Sequence, residues 1–505
     1  MVCKVITSAI IGLDAHKVEV EVDTVNSLPS ISIVGLADTA INEARERVRS
    51  AIKNSEYTFP RGKVVINLAP ADIRKEGTNY DLPIAVGILI EEGLLSNENI
   101  EGWGFLGELS LDGHLRKTNG ILPLVQGLKD FGIKKVVIPK ENAVEASFAS
   151  GIEIYPAEHL TDVVNNFTDT PLEQVKSRLD DYLSEINDTD FVYDFKNVKG
   201  QQKAKKALEI AAAGGHNMLM TGSPGSGKTL MAKCFQSILP PLTPQEAIEL
   251  TRIYSIAGLL SEKEPLVTKR PFRSVHHTAS AVGIIGGGAS PKPGEITLAH
   301  RGVLFLDEMI EFPRNVLEVL RQPLEDGEIS ISRVKNSVKY PASFILLGAM
   351  NPCPCGFLGD SEKHCTCSEY QIQKYKSRLS GPILDRIDLI VEVPRLTAEE
   401  LTNTTSDGES SKDIRTRVIN ARKLQYERYK RENILTNSEL TSKLISKYCI
   451  LDKASTEILK TASVKYQLSG RKYDRILKLA RTIADLDSSK DITTKHVTQA
   501  LQYRI

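Results

Sequence analysis

No apolar run in this chain is long enough to span a bilayer, so no transmembrane helix and no membrane partner are expected. The opening stretch, residues 1–12, has too short an apolar segment and too little positive charge before it for a secretory signal. Net charge is lacking too. The 64 basic residues cancel 64 acidic ones, so contact with nucleic acid must come from a local basic surface. Cysteine is sparse and odd in number, seven in 505 residues, which argues against a secreted disulfide framework. There is no internal repeat, and 41% hydrophobic with 25% charged residues carries none of the bias of disordered or collagen-like chains. A cytoplasmic globular protein is expected.

Single hydrophobic cores stop growing at roughly 250–300 residues, so this chain is expected to divide. Residues 1–167 mix short alternating strands, such as Val18–Val22 and Ile31–Val34, with helical stretches such as Thr39–Ile52, which reads as α+β. Residues 168–190 are polar and acidic, with weak amphipathic spacing through Leu172, Val175, Leu179 and Leu183, and read as a linker carrying at most one helix. Residues 191–394 follow the order helix (Gln202–Ala213), buried strand (Asn217–Thr221), glycine loop, helix, which is a P-loop α/β unit. Residues 395–505 open with a loose polar run, Thr402–Lys412, and continue with helical periodicity alone, ending in Arg471–Leu486 and Lys495–Tyr503.

The glycine loop reads Gly222-Ser223-Pro224-Gly225-Ser226-Gly227-Lys228-Thr229. This matches G-x-x-x-x-G-K-[ST], in which backbone N–H groups cradle phosphate oxygens at a helix N-terminus. Lys228 is expected to reach the β and γ phosphates of ATP and Thr229 the Mg2+. A second apolar strand, Gly302–Leu306, delivers Asp307 and Glu308 at its end; Asp307 suits magnesium and Glu308 the attacking water. A third, Phe344–Met350, ends in Asn351, whose amide either holds that water or is a simple turn residue.

Together with Leu384-Asp385-Arg386-Ile387-Asp388, these segments resemble an AAA+ ATPase. The resemblance implies that Arg386 projects into a neighbouring subunit's ATP and that Arg471, in Gly470–Tyr473, is the lid arginine touching nucleotide. Arg378 and Arg475 are weaker candidates for those roles. The bland alternative for Arg386 is a salt bridge to Asp385 or Asp388. A guanidinium supplied in trans requires an oligomer, here a hexamer. The segments Ala211–Asn217, Arg273–Thr278, Pro293–His300 and Asn351–Gly356 are similar to magnesium-chelatase-like bacterial proteins of the YifB/ComM type. That resemblance covers essentially the whole chain. It implies a hexameric ATPase driving DNA branch migration during uptake and integration of foreign DNA, and not metal insertion into porphyrin.

Two segments are candidate DNA contacts. Gly286–Gly294, a glycine-rich insertion carrying Lys292, is expected to be a mobile loop. Glu328–Tyr340 alternates as a hairpin with Arg333, Lys335 and Lys339 at its tip, where Asn336 and Ser337 can turn. Basic side chains there suit a phosphate backbone, or are only solvated hairpin charges. The run Arg415, Arg417, Arg422, Lys423, Arg428, Lys430 and Arg431 reads first as a solvated helix face and second as auxiliary contacts. Cys353, Cys355, Cys365 and Cys367 form two C-x-C pairs, which suit a structural zinc ion or are four reduced structural cysteines.

In the first domain, Lys75–Asn79, Gly107–Gly113 and Gly132–Asn142 are similar to the proteolytic domain of Lon proteases. Peptide hydrolysis there needs a serine and a lysine. Those positions hold Asn79 and Leu122, so a peptidase-inactive Lon-like scaffold is expected. Besides a DNA motor, the sequence leaves open a chelatase motor subunit, an ATP-dependent protein remodeller or protease, and a non-hydrolysing scaffold.

Overall fold

The computed structural model describes residues 3–36, 38–184, 191–288, 292–332, 337–360, 362–397, 400, 408–432 and 434–504. Its N-terminal part is a mixed sheet of seven strands. These are β1 (Cys3–Ile11), β2 (Asp14–Val25), β3 (Ser30–Val34), β4 (Lys63–Ala69), β5 (Trp103–Phe105), β8 (Lys135–Pro139) and β9 (Glu153–Ala157), while β6 (Glu108–Leu109) and β7 (Leu115–Arg116) form a separate hairpin. The order across the sheet is β3-β4-β2-β1-β5-β8-β9. Alternation sets the faces: Val18, Val20 and Val22 of β2 are buried, and Glu19 and Glu21 between them are half-exposed. The valines share an apolar cluster with the helices Thr39–Asn54 and Asp81–Glu91, and the helix Ile121–Asp130 belongs to a second cluster. Asp38 caps the first helix by accepting from Ile41 N at 2.8 Å, an N-terminal signal that the sequence carries openly. Between this part and the next, the described residues of the linker hold one short helix, Leu179–Ser184.

The second sheet is fully parallel, in the order β11-β14-β17-β10-β18. Its strands are β10 (Met218–Thr221), β11 (Phe272–Val275), β14 (Val303–Leu306), β17 (Ile345–Met350) and β18 (Leu389–Glu392). Helices cover both faces of such a sheet, so β14 and β17 read as unbroken apolar runs, every residue buried. Since β10 pairs with both β17 and β18, the connections diverge beside β10, and the crevice outside its C-terminal end is where this architecture binds ligands. Two small hairpins project from this unit: β12 (Gly286–Gly287) with β13 (Lys292–Pro293), and β15 (Glu328–Ser332) with β16 (Ser337–Pro341).

The glycine-rich insertion differs from the expected loose loop. Its base is a tight ladder in which a Cβ on Gly286 (φ +98°) would run into the Lys292 carbonyl and one on Gly294 into the Gly286 amide. Glycine is there to let two backbones touch. The tip, 289–291, lies outside the described residues, as do Arg333 and Lys335 of the second hairpin.

The C-terminal helices Ser411–Tyr429, Gly470–Leu486 and Thr494–Leu501 do not form a core of their own. They share one apolar cluster with the helices Gln202–Gly214 and Lys228–Ile238. The basic run is corrected accordingly: four of its arginines are neither a solvated face nor free for DNA. Arg422 Nη2 and Gln425 Nε2 donate to the Ala212 and Ala213 carbonyls at 2.9 and 3.0 Å, capping the end of the Gln202–Gly214 helix. Arg415 donates to the Leu239 carbonyl at 3.0 Å, Arg417 pairs with Glu209 and Glu409, and Arg428 with Asp485. The small side chains of Ala211–Ala213 allow the close approach that brings Arg422 and Gln425 to the Ala212 and Ala213 carbonyls.

The two sheets are joined through the helix Pro244–Ala257. Gly120 N donates to Ser255 O at 3.1 Å, and Arg252 Nη2 to Leu13 O at 2.9 Å. Ile11 and Leu13, flanking the β1–β2 turn, pack on the apolar cluster beneath the β15–β16 hairpin.

Candidate active site

The strand β10 delivers its chain straight into the glycine turn, and the turn takes its shape from left-handed residues. Gly225 has φ +80° and Gly227 φ +91°, conformations that L side chains rarely adopt. At Gly222 a Cβ would strike the Val393 carbonyl. The helix that starts at Lys228 therefore aims its first N–H groups into the turn, an anion-binding arrangement. The Lys228 ammonium lies across it, donating to the Gly222 and Ser223 carbonyls at 2.7 and 2.9 Å, with Asn351 Oδ1 at 3.4 Å. Burial lowers its pKa, opposed by the charges of Asp307 and Glu308.

Two further strands bring their ends to the same crevice. Thr229 Oγ1 donates to Asp307 Oδ2 at 2.8 Å. A hydroxyl and a carboxylate so placed are hard oxygen donors suited to Mg2+, which keeps waters in its remaining positions. Gly222 N donates to Met350 O at 3.2 Å and so locks β17, and Asn351 behind it, to the glycine turn. Glu308 follows Asp307 in a left-handed conformation (φ 51°, ψ 43°), a costly state for a non-glycine residue that recurs at functional sites. Its Oε2 lies 3.3 Å from His277 Nδ1. His277 is a contact that sequence reasoning missed. Its signal was the histidine pair following the short strand β11 inside the motif Arg273–Thr278, noticed there only as a resemblance.

The arginines lie elsewhere. Arg386 precedes β18, Asn217 precedes β10, and Ser343 and Phe344 precede β17; together with Arg471, Asp474 and Arg475 they line a cleft of about 490 Å3 at the N-terminal edge of the sheet. The glycine turn is at the C-terminal edge, and a strand as long as β10 separates the edges by about 13 Å. Arg386 therefore does not reach its own chain's glycine turn. It is 7% exposed and pairs with Glu325, with Nη1 donating to the Pro382 carbonyl at 2.8 Å. Neither anticipated partner holds it: Asp385 does not, and Asp388 is taken by Arg475 at 2.6 Å and His216 at 3.3 Å. Arg471 is exposed in the same cleft and makes no ion pair among the described residues. Arg378 pairs with Glu311 at 2.6 Å.

Lys292 is exposed at the foot of its hairpin. Lys339 is exposed too and pairs with Glu328 at 2.6 Å. A Cβ on Gly286 of the first hairpin would lie 3.3 Å from Ile331 Cδ1 of the second, so these two hairpins are neighbours.

The four cysteines converge just past Asn351. Cys353 Sγ lies 3.4 Å from Cys355 Sγ and 3.6 Å from Cys365 Sγ, Cys355 and Cys365 are 3.6 Å apart, and all four sulfurs fall within 4.8 Å. None is in a disulfide. A tetrahedral thiolate set with Zn–S near 2.3 Å has edges of about 3.8 Å, so this donor set fits zinc. Backbone N–H groups of Phe357 and Thr366 pull the Cys355 thiol down to about 6, and Cys355 N donates to Cys367 Sγ at 3.4 Å.

Three family descriptions match the chain: "Magnesium chelatase, subunit ChlI" over residues 194–401, "Subunit ChlI of Mg-chelatase" over 20–142, and "Magnesium chelatase, subunit ChlI C-terminal" over 408–504. The protein YifB of Salmonella typhimurium is 41% identical over 503 residues, covering 99% of this chain and 96% of YifB. The competence protein ComM of Haemophilus influenzae is 42% identical over 507 residues, covering 99% of this chain and 97% of ComM. The chain belongs to the magnesium-chelatase-like AAA+ family, of the YifB/ComM type. A more distant match, the magnesium-chelatase subunit ChlI homolog of Methanocaldococcus jannaschii, is 25% identical over 349 residues, 61% of this chain and 85% of the homolog. Membership of this family implies an ATPase that uses ATP and Mg2+. The parallel sheet with its strand order, the glycine turn and the C-terminal helices bear out the expected multidomain α/β fold. Among the described residues no helix is long and apolar enough to cross a membrane.

Proposed function

We propose that the protein is a homo-oligomeric ring motor, a hexamer, that hydrolyses ATP between subunits and acts on single-stranded or branched DNA. The activity is branch migration or helicase action in the recombination that follows DNA uptake. The observation that carries the reading is the split site. Lys228, Thr229, Asp307, Glu308 and Asn351 meet at one edge of the sheet, whereas Arg386 and Arg471 stand at the other, where a head-to-tail neighbour would receive them. In use, the turn Gly222–Thr229 would hold the triphosphate, and Thr229 and Asp307 would hold Mg2+, which would draw charge from the phosphate oxygens. Glu308 takes the proton of the attacking water, Asn351 orients that water, and the neighbour's Arg386 neutralises charge on the transferring phosphoryl. Arg386 must first exchange its pairing with Glu325, which couples firing to a movement of the subunit boundary.

The competence name of the 42% identical ComM supports the DNA reading, as do the adjacent hairpins bearing Lys292 and Lys339, with Arg333 and Lys335 beyond the described residues. In this reading residues 1–167 are a Lon-like scaffold without peptidase activity, 168–190 a linker, 191–394 the ATPase core with its cysteine cluster, 395–505 the helical lid, and the protein works in the cytoplasm. At the Lon-like positions Asn79 is buried with its amide donating to the Ser8 carbonyl at 3.0 Å, and Leu122 is buried in apolar surroundings. Neither side chain has nucleophilic or basic chemistry to offer. The three chelatase descriptions support a second reading, a chelatase-type motor subunit.

ATPase rates with and without single-stranded and four-way-junction DNA, alongside sizing in ATP, separate the two. The motor reading expects a ring in ATP and stimulation by DNA. A ring whose ATPase ignores both DNAs would favour the chelatase-type reading.

A further inference from the structure

The loop that carries the four cysteines has little else to hold it. Between Asn351 and Ser368 the described residues contain no helix or strand, and only Cys353 and Gly356 are buried. A segment with so little apolar burial does not offset the entropy of holding one shape. Yet its shape matters at the nucleotide site. A cleft of about 430 Å3 beside the glycine turn has Thr221, Gly222 and Ser223 on one side and Pro352, Leu358 and Asp360 of the cysteine loop on the other.

The loop also touches the turn directly. Gly356, with φ +84°, backs onto Pro224 so closely that a Cβ there would lie 2.7 Å from Pro224 Cδ. Asp360 Oδ1 accepts from Glu362 N and Lys363 N at 3.0 Å each, and Asp360 lines the same cleft as Ser223. At the start of the loop, Asn351 Oδ1 lies 3.4 Å from Lys228 Nζ. Four thiols bring only weak mutual hydrogen bonds to this task, whereas a metal joining residues 353, 355, 365 and 367 removes the chain entropy of the whole loop.

We infer that the four cysteines bind one zinc ion per chain and that the zinc-ordered loop is a wall of the nucleotide cleft, so that nucleotide affinity depends on metal occupancy. This rests on the reading of Gly222–Thr229 as the ATP site. The ion has no part in hydrolysis, because four thiolates leave no open coordination position. It acts by fixing where Pro224 and Asn351 stand, and Asp360, which holds the turn at residues 362 and 363 and lines the cleft, is a positioning residue for that wall.

The test uses the full chain, purified in reductant without chelator. Zinc per chain is measured by metal analysis, and the affinity for a fluorescent ADP analogue is measured in the metal-loaded, chelator-stripped and zinc-restored protein, with circular dichroism as the check on folding. The expected results are one zinc per chain, about tenfold weaker nucleotide binding after stripping with the remaining fold retained, and recovery when zinc is returned. Asp360→Ala is expected to keep its zinc and still bind nucleotide several-fold more weakly, which general unfolding would not produce. Protein purified without zinc overturns the metal site. Zinc-free protein that binds nucleotide as tightly as loaded protein overturns the coupling. Loaded protein that binds no nucleotide at all is a different failure, and strikes the ATP-site reading itself.

Discussion

The two edges of the five-stranded parallel sheet differ in completeness. At the C-terminal edge, a lysine touches an amide, a hydroxyl touches one carboxylate and a histidine touches a second, all within one chain. At the N-terminal edge, the groups that would finish the chemistry are arginines in a cleft, one of them held by Glu325. A parallel sheet has a direction, so every strand carries one residue set to each edge, and a ring stacked head to tail sets unlike edges against each other. In the proposed ring, one edge binds nucleotide and the other is received by the neighbouring subunit.

Substitutions sharpen that contrast. Arg386→Ala should lower the ATPase rate by about 10^3-fold while leaving nucleotide affinity unchanged, because the guanidinium acts only on transition-state charge. Steady-state rates beside equilibrium binding check this, and an equal loss of affinity would make Arg386 merely structural. Glu308→Gln, at the other edge, should cost about 10^2-fold in rate, again with binding intact. His277→Ala should slow hydrolysis by about fivefold, the worth of one contact to Glu308, with Asp307 and the metal affinity untouched; magnesium titrations of the rate distinguish the two.

The smallest effect concerns stability. Burial raises the pKa of Glu249, but the His300 ring and Arg301 outweigh it and bring it from 4.5 down to about 2. A carboxyl lowered on folding stabilises the native state above its unfolded value, and that contribution is lost as pH falls from about 4.5 through about 2. Glu249→Gln should therefore lower thermal stability at pH 7 and make little difference near pH 2, so that the loss of stability over that window is flattened, as acid melting curves would record.

Much of the C-terminal edge was legible in the sequence because its signals are local. A glycine turn between an apolar strand and a helix, and acids ending a second strand, need only neighbouring residues to be read. The contact of Asn351 with Lys228 was harder, resting on two strands being neighbours. The other edge was less open. That Glu325, and not Asp385 or Asp388, would hold Arg386 depends on a helix remote in the chain. The inward turn of Arg415, Arg417, Arg422 and Arg428 was hidden for a similar reason, since charge spacing along a helix does not tell which face meets backbone carbonyls. The glycine insertion looked loose because glycine composition alone does not separate mobility from close backbone contact, which Gly286 and Gly294 serve here.

The central claim, that the site is completed by the neighbouring subunit, is tested most directly by mixing two inactive variants. Arg386→Ala and Glu308→Gln chains, combined in equal amounts and allowed to exchange subunits, place an intact Arg386 against an intact Glu308 at some boundaries. Random head-to-tail assembly should restore about a quarter of the wild-type ATPase rate. A mixture no more active than its two components would contradict a site shared between subunits.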